Sequence, residues 1–330
     1  MRALTAELPR QLGEGFRAGL AAAPRRAARK PVPTFVVGMG GSGIAAELVR
    51  AVVEAETAIP YFAVRNFALP VSAGKGSLVI LSSQSGNTWE TLRAYEEAGA
   101  RGARRIALTS GGELARRAER DGVPMVTLPP GGPPRGLAAV MTGVLLAVLD
   151  PWFERSNTPR VDALRGRLER RETAYARRGG VAERLARTMG PRIPYFFVEP
   201  GLVPVARRWK STMEENAKRI AVWEECPEFF HNAIVGWDAI LRGPIARYVP
   251  MVLDWNGTHP DLGRSYRYLE RLLRARGARP VHVSLPGDDL LEALLSGVLL
   301  GDHCTIFLAE AAGIDPEITL AIVRLKEHLA

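Results

Sequence analysis

Residues 34–54 read TFVVGMGGSGIAAELVRAVVE: a short apolar run, four glycines within six residues, then a helical pattern. Thr34–Gly40 is expected as a buried strand and Ser42–Glu54 as a helix, so the glycines fall at a strand-to-helix junction. Glycine lets the backbone turn sharply there and approach an anion, and the helix N-terminus presents unpaired N–H groups. A bare tight turn would explain this loop equally well. The dinucleotide fingerprint fits it loosely, because the glycines are spaced differently and Arg65-Asn66 stands where an acidic ribose contact would be needed.

Outward from this unit the alternation repeats. Strands are expected at Tyr61–Arg65, Ser77–Ser82, Arg105–Thr109 and Met125–Leu128, with helices over Thr88–Ala98, Glu113–Arg120 and Arg135–Leu149. Asp150-Pro151 opens an Arg-rich connection to about Gly190, helical over Val161–Ala176. Strands follow at Pro194–Val198, Tyr248–Asp254 and Pro280–Ser284, and helices at Val203–Lys218, Leu262–Ala275, Leu290–Ala312 and about Pro316–Leu329. Continuous apolar strands separated by helices signal a parallel sheet covered on both faces. The expected fold is α/β, with two similar domains at 1–152 and 153–330.

With 47% hydrophobic and 24% charged residues over 330 positions, the composition is that of a globular protein. No run of about 18 apolar residues stands out, so no membrane span is expected. The N-terminal thirty residues read as an amphipathic helix and linker, not a secretory signal. Cys226 and Cys304 are too few for a disulfide framework and lack metal-ligand spacing, so a cytoplasmic protein with no metal and no cofactor is expected. The net charge of +9 raises nucleic acid as a partner. The excess is Arg scattered among Glu, as in RGRLERRETAYARR, which is the pattern of a solvated helix face, and no nucleic-acid partner is expected.

A second loop shifts the balance toward an anion. Ser82-Ser83-Gln84-Ser85-Gly86-Asn87-Thr88 lies at another strand-to-helix junction, with hydroxyls at 83, 85 and 88 around a glycine. Asn87 or Thr88 could cap the next helix, but one residue suffices for a cap. Three hydroxyls with backbone donors match the acceptor oxygens of a phosphate.

Residues 212–237, TMEENAKRIAVWEECPEFFHNAIVGW, place Glu215 sixteen positions before His231. A carboxylate can carry a proton between adjacent carbons, and an imidazole titrates near neutrality. Glu214 competes with Glu215, although adjacent helical positions point about 100° apart.

Four motifs in this order, Gly38–Gly43, Ser83–Thr88, Glu215–Lys218 (ENAK) and Pro227–Asn232, resemble the sugar isomerase (SIS) domain family. Within it they resemble the bifunctional phosphoglucose/phosphomannose isomerases of archaea and bacteria. The match spans roughly residues 30 to 330. It implies two SIS-type domains and aldose–ketose isomerisation of glucose 6-phosphate, and of mannose 6-phosphate, to fructose 6-phosphate through an enediolate. By the same resemblance Gly40, Gly41, Ser42, Ser83, Ser85 and Thr88 bind the phosphate, and Glu215 is the base. His231 opens the ring, Arg135 in PPRG stabilises the enediolate, and Lys326 assists ring opening. Thr319 matches a threonine bearing on acceptance of both C2 epimers. A homodimer is implied, with His231 acting in its own or in the partner subunit.

The chain departs from the family at Ala233, where a Glu usually follows His-Asn, and at Asp315-Pro316-Glu317-Ile318, where Asp-Pro-Thr-Pro is usual. Lys326 could equally be a surface residue of the terminal helix. Two other functions stay open on the sequence. One is a non-catalytic phosphosugar-binding regulator, since SIS domains also serve as sensors; the other is a dinucleotide-dependent oxidoreductase.

Overall fold

The structure is a computed structural model that describes residues 1–22 and 30–329, with the side chains of Ala22, Arg242, Lys326 and Leu329 outside that description. Helices Arg2–Ala6 and Leu8–Ala22 form at the N-terminus, and the linker expected after them falls at 23–29, outside the described residues. Contacts divide the chain into Ala6–Arg170 and a second unit of Met1–Thr5 with Arg171–Ala330. The division lies inside helix Thr158–Ala176, beyond the Asp150-Pro151 turn.

In the first unit, strands β1 (Thr34–Val37), β2 (Tyr61–Val64), β3 (Leu78–Ser82), β4 (Arg104–Thr109) and β5 (Met125–Thr127) form one sheet, ordered β2-β1-β3-β4-β5. All four pairings are parallel. Every residue of β1 and β3 is buried, as helices on both faces require. The chain runs from β1 to β2 on one side and then to β3 on the other. The sheet therefore has a topological switch point between the carboxyl ends of β1 and β3, where such folds bind ligands. Both loops singled out in the sequence leave those two ends.

In the second unit, β6 (Ile193–Val198), β7 (Val222–Glu225), β8 (Tyr248–Trp255) and β9 (Val281–Leu285) form a parallel sheet ordered β7-β6-β8-β9. Helix Val203–Asn216 turns Val205, Trp209, Thr212, Met213 and Asn216 toward the interior, a face repeating every three to four residues. It packs on helix Leu290–Ala311. Burying each of Leu294, Leu295, Val298 and Leu299 on that helix contributes roughly 1.5–3 kcal/mol.

Strand β7 and helix Val181–Met189 were not expected from the sequence. Two segments, Pro134–Trp152 and Leu290–Ala311, are long and apolar enough to cross a membrane by length and composition alone. They lie 78% and 94% buried within the protein, the place of core helices.

Candidate active site

The first loop opens helix Gly40–Glu56, whose N-cap residue Met39 supplies no side-chain cap. Its N-terminal amides are thus not met by a capping side chain, the arrangement that suits an anion. Gly40 has φ +50°, a conformation that glycine adopts at no steric cost. Ser42 is buried in the first turn. Arg65, at the end of β2, lies against this loop, since a Cβ on Gly43 would be 2.8 Å from its Nε. The sequence offered Arg65 only as evidence against a ribose contact. Its place beside the loop depends on how β2 pairs with β1, which no local pattern shows.

In the second loop, Thr88 holds the N-cap position of helix Trp89–Ala100 but makes no capping bond. Its Oγ1 instead accepts a hydrogen bond from the Ser83 hydroxyl at 2.8 Å. Asn87 turns away from the helix as well, its Oδ1 accepting the Glu113 N–H at 3.0 Å. Ser85 is exposed and its Oγ accepts the Asn87 N–H at 3.3 Å. Gly86 sits at φ +68° with no room for a Cβ, which would collide with the Gly111 carbonyl. The capping explanation for these hydroxyls therefore fails.

A third segment joins the two loops. Gln84 donates from Nε2 to the Gly131 carbonyl at 3.4 Å, and Gly41 packs against Pro134 and Arg135. Arg135 lies in the 3-10 turn Pro134–Leu137 and is only 5% exposed. Gly40, Gly41, Ser42, Ser83, Ser85, Thr88 and Arg135 are thus brought to one end of one sheet.

Glu215 is half-buried in the last turn of helix Val203–Asn216. Its rival Glu214 is held by Lys210, whose Nζ donates to both carboxylate oxygens at 2.6 and 2.8 Å. The helix is pinned along its length to Leu290–Ala311. Arg208 donates to both oxygens of Asp302 (2.9 and 2.7 Å), Trp209 Nε1 to the Gly297 carbonyl (2.7 Å), and Asn216 Nδ2 to Thr305 Oγ1 (3.0 Å). Arg208 and Asp302 are both buried, so each charge depends on the other.

His231 ends the 3-10 turn Glu228–His231 and is exposed, while Phe229 beneath it is buried against Phe197 with ring centroids 4.8 Å apart. Asn232 accepts the Ala233 N–H and donates to Glu228 at 2.7 Å, so the turn closes on itself at Ala233. The helix bearing Glu215 enters β7, and His231 follows the far end of that strand. Within one chain the two residues are therefore separated by β7, roughly 10 Å of extended backbone.

Thr319 is half-buried just before helix Leu320–Leu329, its carbonyl accepting the N–H groups of Ile322 (3.0 Å) and Val323 (3.3 Å). Lys326 is on that helix, but its side chain falls outside the described residues.

The second unit has its own switch point, between β6 and β8, built differently. Glu199 follows β6 and accepts the Thr258 hydroxyl at 2.7 Å. Burial raises its pKa, with nearby Asp254 adding to the effect. A carboxyl group stands where the first unit has glycines and hydroxyls.

Comparison with known proteins agrees with this division. Residues 32–126 match the SIS domain, and residues 179–329 match the bacterial phospho-glucose isomerase C-terminal SIS domain. A bifunctional phosphoglucose/phosphomannose isomerase of Caldicellulosiruptor bescii is 29% identical over 98% of this chain and 97% of its own length. One from Aquifex aeolicus is 31% identical, covering 88% of each chain. Among solved structures, the C-terminal domain of glucosamine-fructose-6-phosphate aminotransferase from Francisella tularensis superposes with a TM-score of 0.74, at 12% identity and 96% coverage of both, which supports the fold. Two SIS-type domains, the four motifs in order and near-full-length identity to these enzymes place the chain in the bifunctional phosphoglucose/phosphomannose isomerase family.

Proposed function

We propose that this chain interconverts glucose 6-phosphate and mannose 6-phosphate with fructose 6-phosphate, with Glu215 as the base. The observation that carries the reading is the Ser83–Thr88 loop at the β1/β3 switch point, whose hydroxyls are not spent on capping the helix. The phosphate is held there and at the amides of Gly40, Gly41 and Ser42. Isomerase relatives matched over nearly the whole chain favour catalysis over a sensor role.

His231 moves the proton that opens the hexose ring, aided by Lys326. Glu215 then takes the C2 proton of the open aldose. The C2–H electron pair forms the C1=C2 bond and O1 gains the charge, which Arg135 stabilises. Return of the proton to C1, with transfer of the O2 proton to O1, gives the ketose. Glucose and mannose phosphates differ only at C2 and yield one enediolate, so serving both requires room for the C1–C2 unit to turn about C2–C3, near Thr319, and no additional base.

The distance spanned by β7 supports a homodimer in which the partner's histidine completes the site. Exposed Val235 and Leu241, 69% and 73% accessible beside the His231 turn, support an interface there. The two buried free thiols fit a cytoplasmic setting.

The deciding experiment is Glu215→Gln assayed for fructose 6-phosphate formation from each aldose phosphate. A fall of at least about 10²-fold in kcat is expected. Turnover near the wild-type rate would remove Glu215 from the chemistry.

A further inference from the structure

Lys218 is the one non-glycine residue with positive φ among the described residues, at +54°. It stands just past the end of helix Val203–Asn216, where glycine is the usual occupant because it has no Cβ to crowd the turn. A side chain retained in such a conformation calls for a use. Here the use is visible. Lys218 Nζ donates to the carbonyl of Glu215 at 2.6 Å and to the carbonyl of Asp315 at 3.1 Å.

The first bond meets a carbonyl of the helix's last turn, where a cation is also favoured by the helix dipole. The second reaches the segment that leads through Thr319 into helix Leu320–Leu329. Asn216 meanwhile is fastened to Thr305. Glu215 thus has its following residue anchored to one helix and its own carbonyl anchored, through Lys218, to the C-terminal arm.

We propose that Lys218 positions Glu215, by tying the end of its helix to the arm that carries Thr319 and Lys326. This rests on Glu215 being the base. Lys218 touches no reacting atom. It sets where the carboxylate stands relative to the arm, and slack in the tether moves the backbone that bears the base.

The test uses Lys218→Gly, Lys218→Arg and Glu215→Gln in the full-length enzyme with glucose 6-phosphate. Glycine suits φ +54°, so Lys218→Gly keeps or raises Tm while removing both side-chain bonds. Its kcat is expected to fall about 10- to 100-fold, the scale of a misplacement near 1 Å. KM stays within about 3-fold, because the proposed phosphate loops at Gly40–Ser42 and Ser83–Thr88 are unchanged. Lys218→Arg, which keeps the charge and the donors, recovers most of kcat. Wild-type kcat in Lys218→Gly, with Glu215→Gln inactive, would overturn the positioning role alone. A fall in kcat that tracks a fall in Tm and is not rescued by Arg would overturn it too. Turnover by Glu215→Gln would overturn both this role and the base assignment.

Discussion

Gly41 and Arg135 touch through backbone: a Cβ at 41 would lie 2.7 Å from both N and Cα of Arg135, and 2.6 Å from the Pro134 carbonyl. The glycine of the first loop is therefore needed for close approach, in addition to any turn it makes. Gly41→Ala is expected to push the Arg135 turn outward, lowering kcat by about 10-fold or more and stability by about 1–3 kcal/mol. Steady-state kinetics with thermal melts check both. An unchanged kcat would show that Arg135 does not stabilise the enediolate.

The second loop should govern affinity. Ser83→Ala and Thr88→Val each remove a hydroxyl from a charged ligand, a loss of about 1.5–3 kcal/mol. KM for either aldose phosphate should rise about 10- to 100-fold with kcat little changed. A drop confined to kcat would place these hydroxyls at the reacting end of the sugar.

Glu214 and Glu215 should behave in opposite ways. Glu214 is neutralised by Lys210 on the preceding turn, and such a pair contributes about 0.3–0.5 kcal/mol. Glu214→Gln should leave kcat within about 2-fold and stability nearly unchanged. Comparison with Glu215→Gln in one assay tests the choice of base.

Two histidines should shape stability against pH with opposite signs. His282 sits 2.7 Å from Asp254 and 2.6 Å from Glu270, and chiefly the Asp254 hydrogen bond raises its pKa to about 9. The folded state holds this proton more tightly than the unfolded chain, so the stabilisation is full below pH 6.5 and is lost as pH rises through 9. After solvent screening it is on the order of 1 kcal/mol. His303 is buried with neither ring nitrogen hydrogen-bonded, and burial lowers its pKa to about 4. Here the unfolded chain holds the proton more tightly, so stability falls as pH drops from 6.5 toward 4, by roughly 2–4 kcal/mol. Urea melts at stepped pH should show the alkaline slope vanish in His282→Gln and the acid slope vanish in His303→Leu.

How much of this was legible depends on what each element buries. Strands β1 and β3 announce themselves because both faces are covered, which demands uninterrupted apolar residues. Strand β7, Val-Trp-Glu-Glu, pairs on one side only and keeps its residues half-exposed, so no apolar run marks it. Helix Val181–Met189 buries only a narrow face including Ala182, Ala186 and Met189, and its arginines merge with the polar connection before it. The two glycine- and hydroxyl-rich loops could be placed at strand-to-helix junctions because their residue pattern is local. Lys210, which holds Glu214 from four residues before it, was in the sequence as well. The separation of Glu215 from His231 was not, because it follows from the unrecognised β7. Nor was the reach of Lys218 to Asp315, a contact between residues far apart in the chain.

The carboxyl group of Glu199 at the second switch point makes the two sheets unequal in what they can hold. Two sheets of like topology could have offered two equivalent seats for phosphate, and a sugar phosphate could then have bound tail-first in either. Glu199, closed onto Thr258 with Asp254 nearby, makes the second seat unwelcoming to an anion. With the phosphate held by the Ser83–Thr88 loop, as proposed, the second sheet offers it no equivalent seat.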